Sequence, residues 1–228
     1  MKHRIEKMVA NNTNYSRLMI NKMLKKGKIK VNDIVVYKSC YVNVDDIITV
    51  DNQNINTKLF YLALNKPKGY ICANADAKYP SVLHLISDLY RFAKNIHTVG
   101  RLDVDTHGLL IITNDGAFTH RVLSPKNHIQ KVYLVQVDKE LDVYMIEVFK
   151  QGIDIGEAKV CQSAKLEIID RYNCYLTINE GKYHQVKRMF NKLGYKVIDL
   201  KRVAFGMFIL PDDLSPGEYI SINKDQII

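Results

Sequence analysis

Residues 100–116 read Gly-Arg-Leu-Asp-Val-Asp-Thr-His-Gly-Leu-Leu-Ile-Ile-Thr-Asn-Asp-Gly, and this stretch sets the expectation for the fold around it. If the chain is extended at its start, Arg101 and Asp103 point to one side and Leu102 points to the other. Leu102 then packs inward, while the two charged groups face a cleft. Such a pattern can hold one carboxylate, Asp103, at the rim of a pocket with a cation beside it.

The second half of the stretch predicts a buried strand. Residues 109–112 are apolar throughout, Gly108 gives freedom for a close turn, and Asn-Asp-Gly at 114–116 is a strong turn signal. The charged part has three possible interpretations, and spacing alone favours the first. It can be a surface ion pair before a hairpin, or a catalytic carboxylate beside a cation. It can also be a metal-binding pair in which Asp103 and Asp105 share a divalent ion, as in sugar-nucleotide transferases.

The composition is that of a globular protein with a sizeable core. The chain has 228 residues, of which 47% are hydrophobic and 25% are charged. We find no apolar run of eighteen residues and no apolar stretch after the basic start, so we expect neither a membrane span nor a secretory signal and place the protein in the cytoplasm. The cysteines are scattered, which argues against a zinc site or a disulfide framework. They are Cys40, Cys72, Cys161 and Cys174.

The positive charge is concentrated at the N-terminus. The net charge is +9, and residues 1–38 contain ten Lys or Arg against two acidic residues, which leaves +8 of the +9 in this segment. Such a one-sided distribution is the electrostatic footprint of a polyanionic partner. Membrane binding would need an amphipathic helix with large apolar anchors, whereas turns and strands break this segment. Nucleic acid is therefore the favoured partner.

Residues 1–56 are predicted to form a small α/β domain. Helical apolar spacing and an N-cap at Ser16 predict two helices. Alternation at 28–31, a turn at 32–33 and apolar runs at 34–37 and 47–50 predict short strands. The polar run 51–57 is expected to be a linker.

Residues 57–228 are predicted to form a larger α+β domain. Strand-like runs recur at 59–64, 108–113, 132–137, 166–169, 174–178 and 197–200. Helical segments intervene near 81–93, 116–123, 139–151 and 184–193. This pattern predicts a mainly antiparallel mixed sheet with flanking helices.

A basic amphipathic helix is predicted after residue 184. Its apolar face repeats at helical spacing, while Lys187 and Arg188 stand off that face. The apolar residues are Val186, Met189, Phe190 and Leu193. The basic side can be a solvated surface, a phosphate-binding surface, or a cation aimed at a catalytic carboxylate.

Two further segments place basic residues on strands and turns. Lys131 and Tyr133 share one face of a predicted strand, where a tyrosine can stack on a nucleobase or simply pack in the core. Lys66 and Lys68 lie at a strand end and the turn after it.

Together these segments resemble the pseudouridine synthases, specifically the branch that acts on small-subunit (16S) ribosomal RNA. Residues 100–116 match its signature, and residues 66–69 (Lys-Pro-Lys-Gly) match the lysine–proline–glycine motif. Residues 131–133 (Lys-Val-Tyr) match the lysine–tyrosine motif, and residues 180–190 with 200–202 match the C-terminal motifs.

The first 50 residues resemble the small RNA-binding domain named after a ribosomal small-subunit protein, the S-four type. The resemblance rests on Arg4, the Ser16-Arg17 pair and residues 25–32. Asp33 stands where the family usually has glycine, in a turn that aspartate can also make.

The resemblance implies an rRNA pseudouridine synthase that isomerises uridine without a cofactor or a metal. It implies Asp103 as the catalytic carboxylate, Lys187 as the cation beside it, and Tyr133 as the residue that stacks on the flipped base. It also implies RNA contacts by a set of basic residues. These are Arg101, Lys66, Lys131, Arg188 and Arg202 in the second domain and Arg4, Arg17, Lys25, Lys26 and Lys28 in the first.

The expected partner is 16S rRNA or a small-subunit assembly intermediate, bound by a monomer away from any membrane. Two alternatives remain at this stage. One is the same reaction on 23S large-subunit rRNA, and the other is a non-catalytic RNA-binding protein of ribosome assembly.

Overall fold

The computed structural model describes residues 2–73 and 76–228. The first part of the chain contains β1 (Lys2–Arg4), α1 (Ile5–Asn11), α2 (Arg17–Lys25), β2 (Ile29–Val31), β3 (Ile34–Val35), β4 (Tyr41–Asn43), β5 (Ile48–Val50) and β6 (Gln53–Ile55). The strands pair in the order β3-β2-β5-β6, and β1 pairs separately with β4. Both helices were expected from apolar spacing, and their inward faces share one core cluster. That cluster includes Ile5, Val9, Ile20, Leu24, Ile29 and Ile48.

Local sequence signals explain most of these boundaries. Ser16 caps α2, because its side chain accepts a hydrogen bond from the Met19 amide at 3.3 Å. Asn32 and Asp33 have φ angles of 49° and 65° and form the two-residue turn between β2 and β3. Asparagine and aspartate tolerate this left-handed conformation, so the turn forms without the glycine that the S-four family usually has there.

The predicted linker at 51–57 is wrong in its central part. Residues 53–55 form β6, which pairs antiparallel with β5. Asp51 and Asn52 make the turn between the two strands with φ angles of 49° and 67°. The polar sequence of β6 gave no strand signal, since backbone pairing with β5 rather than an apolar face holds it in place.

The second part of the chain is built from longer strands. They are β7 (Tyr61–Lys66), β8 (His97–Thr98), β9 (His107–Thr113), β10 (Lys131–Val137), β11 (Lys165–Ile168), β12 (Asn173–Ile178), β13 (Val197–Phe205), β14 (Phe208–Ile209) and β15 (Tyr219–Ile222). The helices are α3 (Asp88–Arg91), α4 (Gly116–Leu123), α5 (Tyr144–Gln151) and α6 (Gln185–Lys192). Within the described residues, no helix is long and apolar enough to cross a membrane.

The strands of this second part form one mixed sheet in the order β11-β12-β10-β13-β9-β7-β15, with β14 beside β13 and β8 beside β9. Its pairings are antiparallel except between β13 and β9, which run parallel. The α+β fold class and the mainly antiparallel mixed sheet are therefore confirmed. Strand β9 is buried on both faces, since Leu110 and Ile112 enter one core cluster and Leu109 and Ile111 enter another.

Gly108 was predicted to allow a close turn, but in the structure it lies inside a strand. It lies inside β9 opposite Arg202 of β13, with a φ angle of 94°. A Cβ atom at this position would overlap the carbonyl oxygen of Arg202. The close approach of the two parallel strands therefore requires glycine at the point where β9 leaves the 100–107 segment.

Two predicted helices are shorter than expected. The segment 81–93 is broken into a 3-10 helix at Val82–Leu85 and the short helix α3, because Ile86 is extended with φ −102° and ψ 151°. The segment 139–151 becomes helical only at Tyr144.

Candidate active site

Asp103 begins a tight turn that ends at Thr106. The Thr106 amide donates a hydrogen bond to the Asp103 carbonyl oxygen at 3.1 Å. Lys66, the last residue of β7, lies behind this turn and donates from Nζ to the carbonyl oxygens of Asp103 (3.0 Å), Thr106 (2.7 Å) and Pro67 (3.1 Å). One ammonium group thus fixes both ends of the turn.

The burial of Lys66 corrects its predicted RNA contact. Strand β7 lies between β9 and β15 in the sheet, and the Lys66 side chain has no exposed surface. A phosphate cannot reach an ammonium group that is enclosed and already bonded to three carbonyl groups. Burial lowers the pKa of Lys66 to about 8, because the carbonyl dipoles replace water only in part.

Helix α6 brings two side chains to the front of the turn. Lys187, in its first turn, places Nζ 3.1 Å from Asp103 Oδ2 and 2.5 Å from Asp105 Oδ1. His184 precedes the helix in a left-handed conformation (φ 49°) and places Nε2 3.4 Å from Asp103 Oδ1. The predicted apolar face of α6 holds the helix in position, since Val186, Met189 and Phe190 are buried.

The ammonium group of Lys187 takes the position between the two carboxylates that the metal-binding interpretation gave to a divalent ion. Burial opposes the charge of Lys187, but the hydrogen bonds to Asp105 and Asp103 outweigh it and raise its pKa. Burial also opposes ionisation of Asp105, while the hydrogen bond from Lys187 outweighs it and lowers the pKa of that carboxyl. Among the described residues, no group of three His, Cys, Asp or Glu side chains is placed to hold a metal ion.

Asp103 opens onto two adjoining cavities. The smaller one, of about 90 Å³, lies between the turn and α6 and is lined by Asp103, Thr106, Tyr133, Lys187 and Leu200 among others. The larger one, of about 580 Å³, shares Asp103 and Tyr133 and extends towards Lys131, Asn179 and Arg202. Asp103 thus lies at the rim of a pocket and pairs with Lys187 and His184, whereas spacing alone favoured a surface ion pair with Arg101.

Tyr133 and Lys131 lie on one face of β10, as predicted. Tyr133 is 8% exposed and lines both cavities. Lys131 is nearly as buried and donates from Nζ to the Ile129 carbonyl oxygen at 2.8 Å. Burial, with the nearby charge of Arg202, lowers the pKa of Lys131 to about 8.

Three arginines that were predicted to contact RNA differ in the exposure and the hydrogen bonding of their side chains. Arg101 is exposed and lines both cavities, with no bond to Asp103 among the described side-chain pairs. Arg188 is held by the protein itself, since its guanidinium donates to Glu157 Oε1 and to the carbonyl oxygens of Tyr183 and Ile155. Arg202 is 2% exposed, and its Nε donates to the Leu109 carbonyl oxygen at 2.7 Å.

The basic residues of the N-terminal part are on the surface. Those named as RNA contacts are all exposed: Arg4, Arg17, Lys25, Lys26 and Lys28. Lys28 is also paired with Asp51 at 2.9 Å. The Arg4 guanidinium lies 5.3 Å from the ring centre of the exposed Tyr41.

Sequence reasoning missed His184 and Thr106, and it gave Asp105 a metal ion as its possible partner. His184 reaches Asp103, and Asp105 meets Lys187, only because α6 packs against the turn, which no local pattern encodes. Thr106 lies within residues 100–116. The feature that could have identified it is its hydroxyl group, three residues after the candidate carboxylate Asp103.

Known proteins match this chain over almost its whole length. The family described as RNA pseudouridylate synthase matches residues 60–192. The ribosomal small subunit pseudouridine synthase A of Pasteurella multocida (strain Pm70) is 40% identical over 98% of this chain and 97% of that protein. The protein of the same name from Haemophilus influenzae is 38% identical with the same coverage. A crystal structure of a pseudouridylate synthase, 37% identical, covers 98% of this chain and 97% of its own with a TM-score of 0.70. A match over more than half of the chain, with relatives near 40% identity along its full length, confirms the family resemblance, and the chain belongs to the RNA pseudouridylate synthases.

Proposed function

We propose that this protein converts a uridine of small-subunit (16S) ribosomal RNA into pseudouridine, with Asp103 as the acting carboxylate. The observation that carries the proposal is one carboxylate, held between Lys187 and His184, at the mouth of a cavity lined by Tyr133. The names of the relatives support small-subunit RNA as the substrate.

The reaction needs little besides this carboxylate. The N1–C1′ bond of uridine breaks, the uracil turns, C5 bonds to C1′, and one proton moves from C5 to N1. Nothing is oxidised or reduced and no group enters or leaves, so the proposal requires no cofactor. Asp103 acts on the ribose as an ionised group, either as a nucleophile at C1′ or as a base.

Lys187 places a cation at the acting carboxylate. Its ammonium group lies 3.1 Å from Asp103 Oδ2, where it compensates negative charge in the cavity. Lysine carries its charge on one ammonium group, without the bidentate fork of arginine. Lys187 therefore bonds to one oxygen of Asp103, Oδ2, and leaves the other oxygen to other partners.

Tyr133 is the proposed stacking surface for the target base. The reacting atoms of a uridine cannot be reached inside a helix, so the nucleotide has to leave its stack. A buried tyrosine ring at the wall of the cavity gives the extruded uracil a flat apolar partner, which is worth about 1–3 kcal/mol in comparable contacts. Arg101, at the exposed edge, is proposed to fill the vacated position or to hold a flanking phosphate.

Residues 1–56 are proposed to bind RNA outside the cleft as an S-four-type domain, and residues 57–228 to form the catalytic domain. Phosphate contacts by the exposed lysines and arginines orient the RNA without reading its sequence. Deletion of residues 1–55 is expected to weaken RNA binding and to flatten its dependence on salt concentration, because fewer counterions are released. An unchanged salt slope would contradict this role.

Mapping of pseudouridines tests the substrate. The pseudouridines of both rRNAs are compared in cells with and without the gene. The purified protein, expected to be a monomer, is tested on free 16S rRNA and on partly assembled small subunits. Loss of one site in 16S rRNA, restored by the wild-type gene, is the expected result. Loss of a site only in 23S rRNA would overturn the choice of substrate, and no lost site would overturn the proposal.

A further inference from the structure

The hydroxyl group of Thr106 is buried beside Asp103 without a partner. Thr106 is 2% exposed, and its Oγ1 has no hydrogen-bond partner among the residues that the structure describes. The backbone of the same residue is fully engaged, since its amide donates to Asp103 and its carbonyl oxygen accepts from Lys66. The side chain is therefore fixed in place with its polar atom unused.

An unused buried hydroxyl is unfavourable for folding. Its removal from water is not compensated by a hydrogen bond in the protein, and native proteins contain few such groups. Valine has nearly the same shape and lacks the hydroxyl. A position selected only for packing would therefore be filled better by valine, which points to a ligand as the missing partner.

Most buried side-chain atoms that lack a hydrogen-bond partner belong to residues that line the same cleft. Among the described residues they are Asn65 Oδ1, Thr106 Oγ1, Asn179 Oδ1 and Arg202 Nη2. Thr106 lines the smaller cavity, and Asn179 and Arg202 line the larger one. Three of the four thus lie around Asp103 and Tyr133, where a bound nucleotide would supply the partners.

We propose that Thr106 Oγ1 hydrogen-bonds the ribose 2′-hydroxyl of the target uridine and so makes the site selective for RNA over DNA. This inference rests on the proposed function. Under that function Asp103 acts at the ribose, and the 2′-hydroxyl is attached to the carbon next to C1′. Thr106 lies in the same four-residue turn, so its hydroxyl is held in register with the carboxylate.

The chemistry of the two groups matches. Both are hydroxyls that donate and accept, so the pair can form in either direction. The 2′-hydroxyl is also the group that distinguishes RNA from DNA at a given nucleotide. The uracil has its own partner in the ring of Tyr133, across the same cavity.

Substitution of Thr106 separates a binding role from a structural one. We expect Thr106→Val to melt at the wild-type temperature or above it and to lower kcat/KM by about three- to tenfold, the effect of one hydrogen bond. Thr106→Ser, which keeps the hydroxyl, is expected to recover most of that loss. A lower melting temperature for Thr106→Val with Thr106→Ser unaffected would show a structural hydroxyl and overturn the proposal.

Thr113, the last residue of the strand β9 that follows the turn, provides the matched control. It is fully buried, and its Oγ1 donates to the Phe60 carbonyl oxygen at 2.5 Å. We expect Thr113→Val to melt at a lower temperature, because it leaves that carbonyl without its donor. The two identical substitutions should therefore move stability differently, and equal destabilisation by both would overturn the proposal.

Binding to a modified RNA identifies the partner group. The dissociation constants of Asp103→Asn and Asp103→Asn/Thr106→Val are compared for RNAs that carry uridine or 2′-deoxyuridine at the target position. We expect the valine to weaken binding of the uridine RNA by about three- to tenfold and to leave the 2′-deoxyuridine RNA unchanged. The same ratio for both RNAs would overturn the assignment.

Failure of this inference is distinguishable from failure of the proposed function. If wild-type protein forms no pseudouridine in rRNA, the proposed function fails. If it forms pseudouridine and Thr106→Val reacts at the wild-type rate, only the role of Thr106 is overturned.

Discussion

Two lysines lie on opposite sides of the 103–106 turn and hold different parts of it. Lys66, behind the turn, is completely buried and bonds only to backbone carbonyl groups. Lys187, in front of it, is 24% exposed and bonds to the carboxylates of Asp103 and Asp105. One lysine fixes the position of the backbone, and the other places a positive charge beside the carboxylates that the backbone carries.

Their opposite pKa shifts follow from what they bind. Burial lowers the pKa of Lys66 to about 8, since hydrogen bonds to neutral carbonyl groups compensate only part of the hydration that the charged ammonium group loses. Burial also opposes the charge of Lys187, but two carboxylates outweigh it and its pKa is raised. The comparison predicts that loss of Lys66 affects stability first, whereas loss of Lys187 affects the reaction first.

Replacement of the carboxylate itself is expected to have the largest effect. Asp103→Asn keeps the shape and the hydrogen-bond reach of the side chain but removes its charge. We expect pseudouridine formation to fall by about 10³-fold or more, with little change in RNA affinity, because the carboxylate does chemistry rather than docking. Tritium release from RNA labelled at uridine C5 measures the rate, and measurable turnover near the wild-type rate would contradict the proposed role.

Loss of the buried lysine is the strongest test of stability. Lys66→Met leaves three carbonyl groups without their donor, and we expect the free energy of unfolding to fall by about 3 kcal/mol. Lys68→Met is a matched control two residues away, since Lys68 is half exposed and pairs with the partly exposed Asp199. Urea unfolding of both variants measures the difference, and equal stability would contradict the clamp.

The same lysine predicts a pH dependence of stability. Its pKa is about 8 in the folded protein and 10.5 ordinarily, so between these values the unfolded chain keeps a proton that the folded chain has released. The free energy of unfolding contributed by Lys66 therefore rises with pH across this window, by up to about 3 kcal/mol. Subtracting the unfolding curve of Lys66→Met from that of the wild type isolates this slope. A flat or falling difference would contradict the lowered pKa.

The front lysine is expected to affect rate with little effect on folding. Lys187→Gln removes the cation from Asp103, and we expect kcat to fall by about 10²-fold. Lys187→Arg keeps the charge and is expected to retain more of the activity, although its fork fits the two carboxylates differently. Equal losses for glutamine and arginine would show that charge is not what Lys187 supplies.

Local patterns in the sequence predicted this site in part. The inward Leu102, the buried strand β9 and the apolar face of α6 follow from side-chain alternation and helical spacing, which depend on neighbours along the chain. The enclosure of Lys66 depends on β15 and β9 lying on either side of β7, and the need for glycine at 108 depends on β13. Such long-range contacts leave no local signal in the sequence. Lys66 was therefore expected to bind RNA as part of a basic motif, whereas in the structure it bonds to the backbone of the turn.

Asp105 is the second carboxylate on the front lysine and offers the smallest effect. Its side chain is 65% exposed, so its pair with Lys187 is weakened by water and salt. We expect Asp105→Asn to change kcat by about two- to threefold at most, because Lys187 keeps its bond to Asp103. The size of the change is informative, because without Asp105 the Lys187 ammonium group keeps only its bond to Asp103. Single-turnover rates of pseudouridine formation by the wild type and the variant measure it, and a loss of about tenfold or more would show that Asp105 is needed to position Lys187.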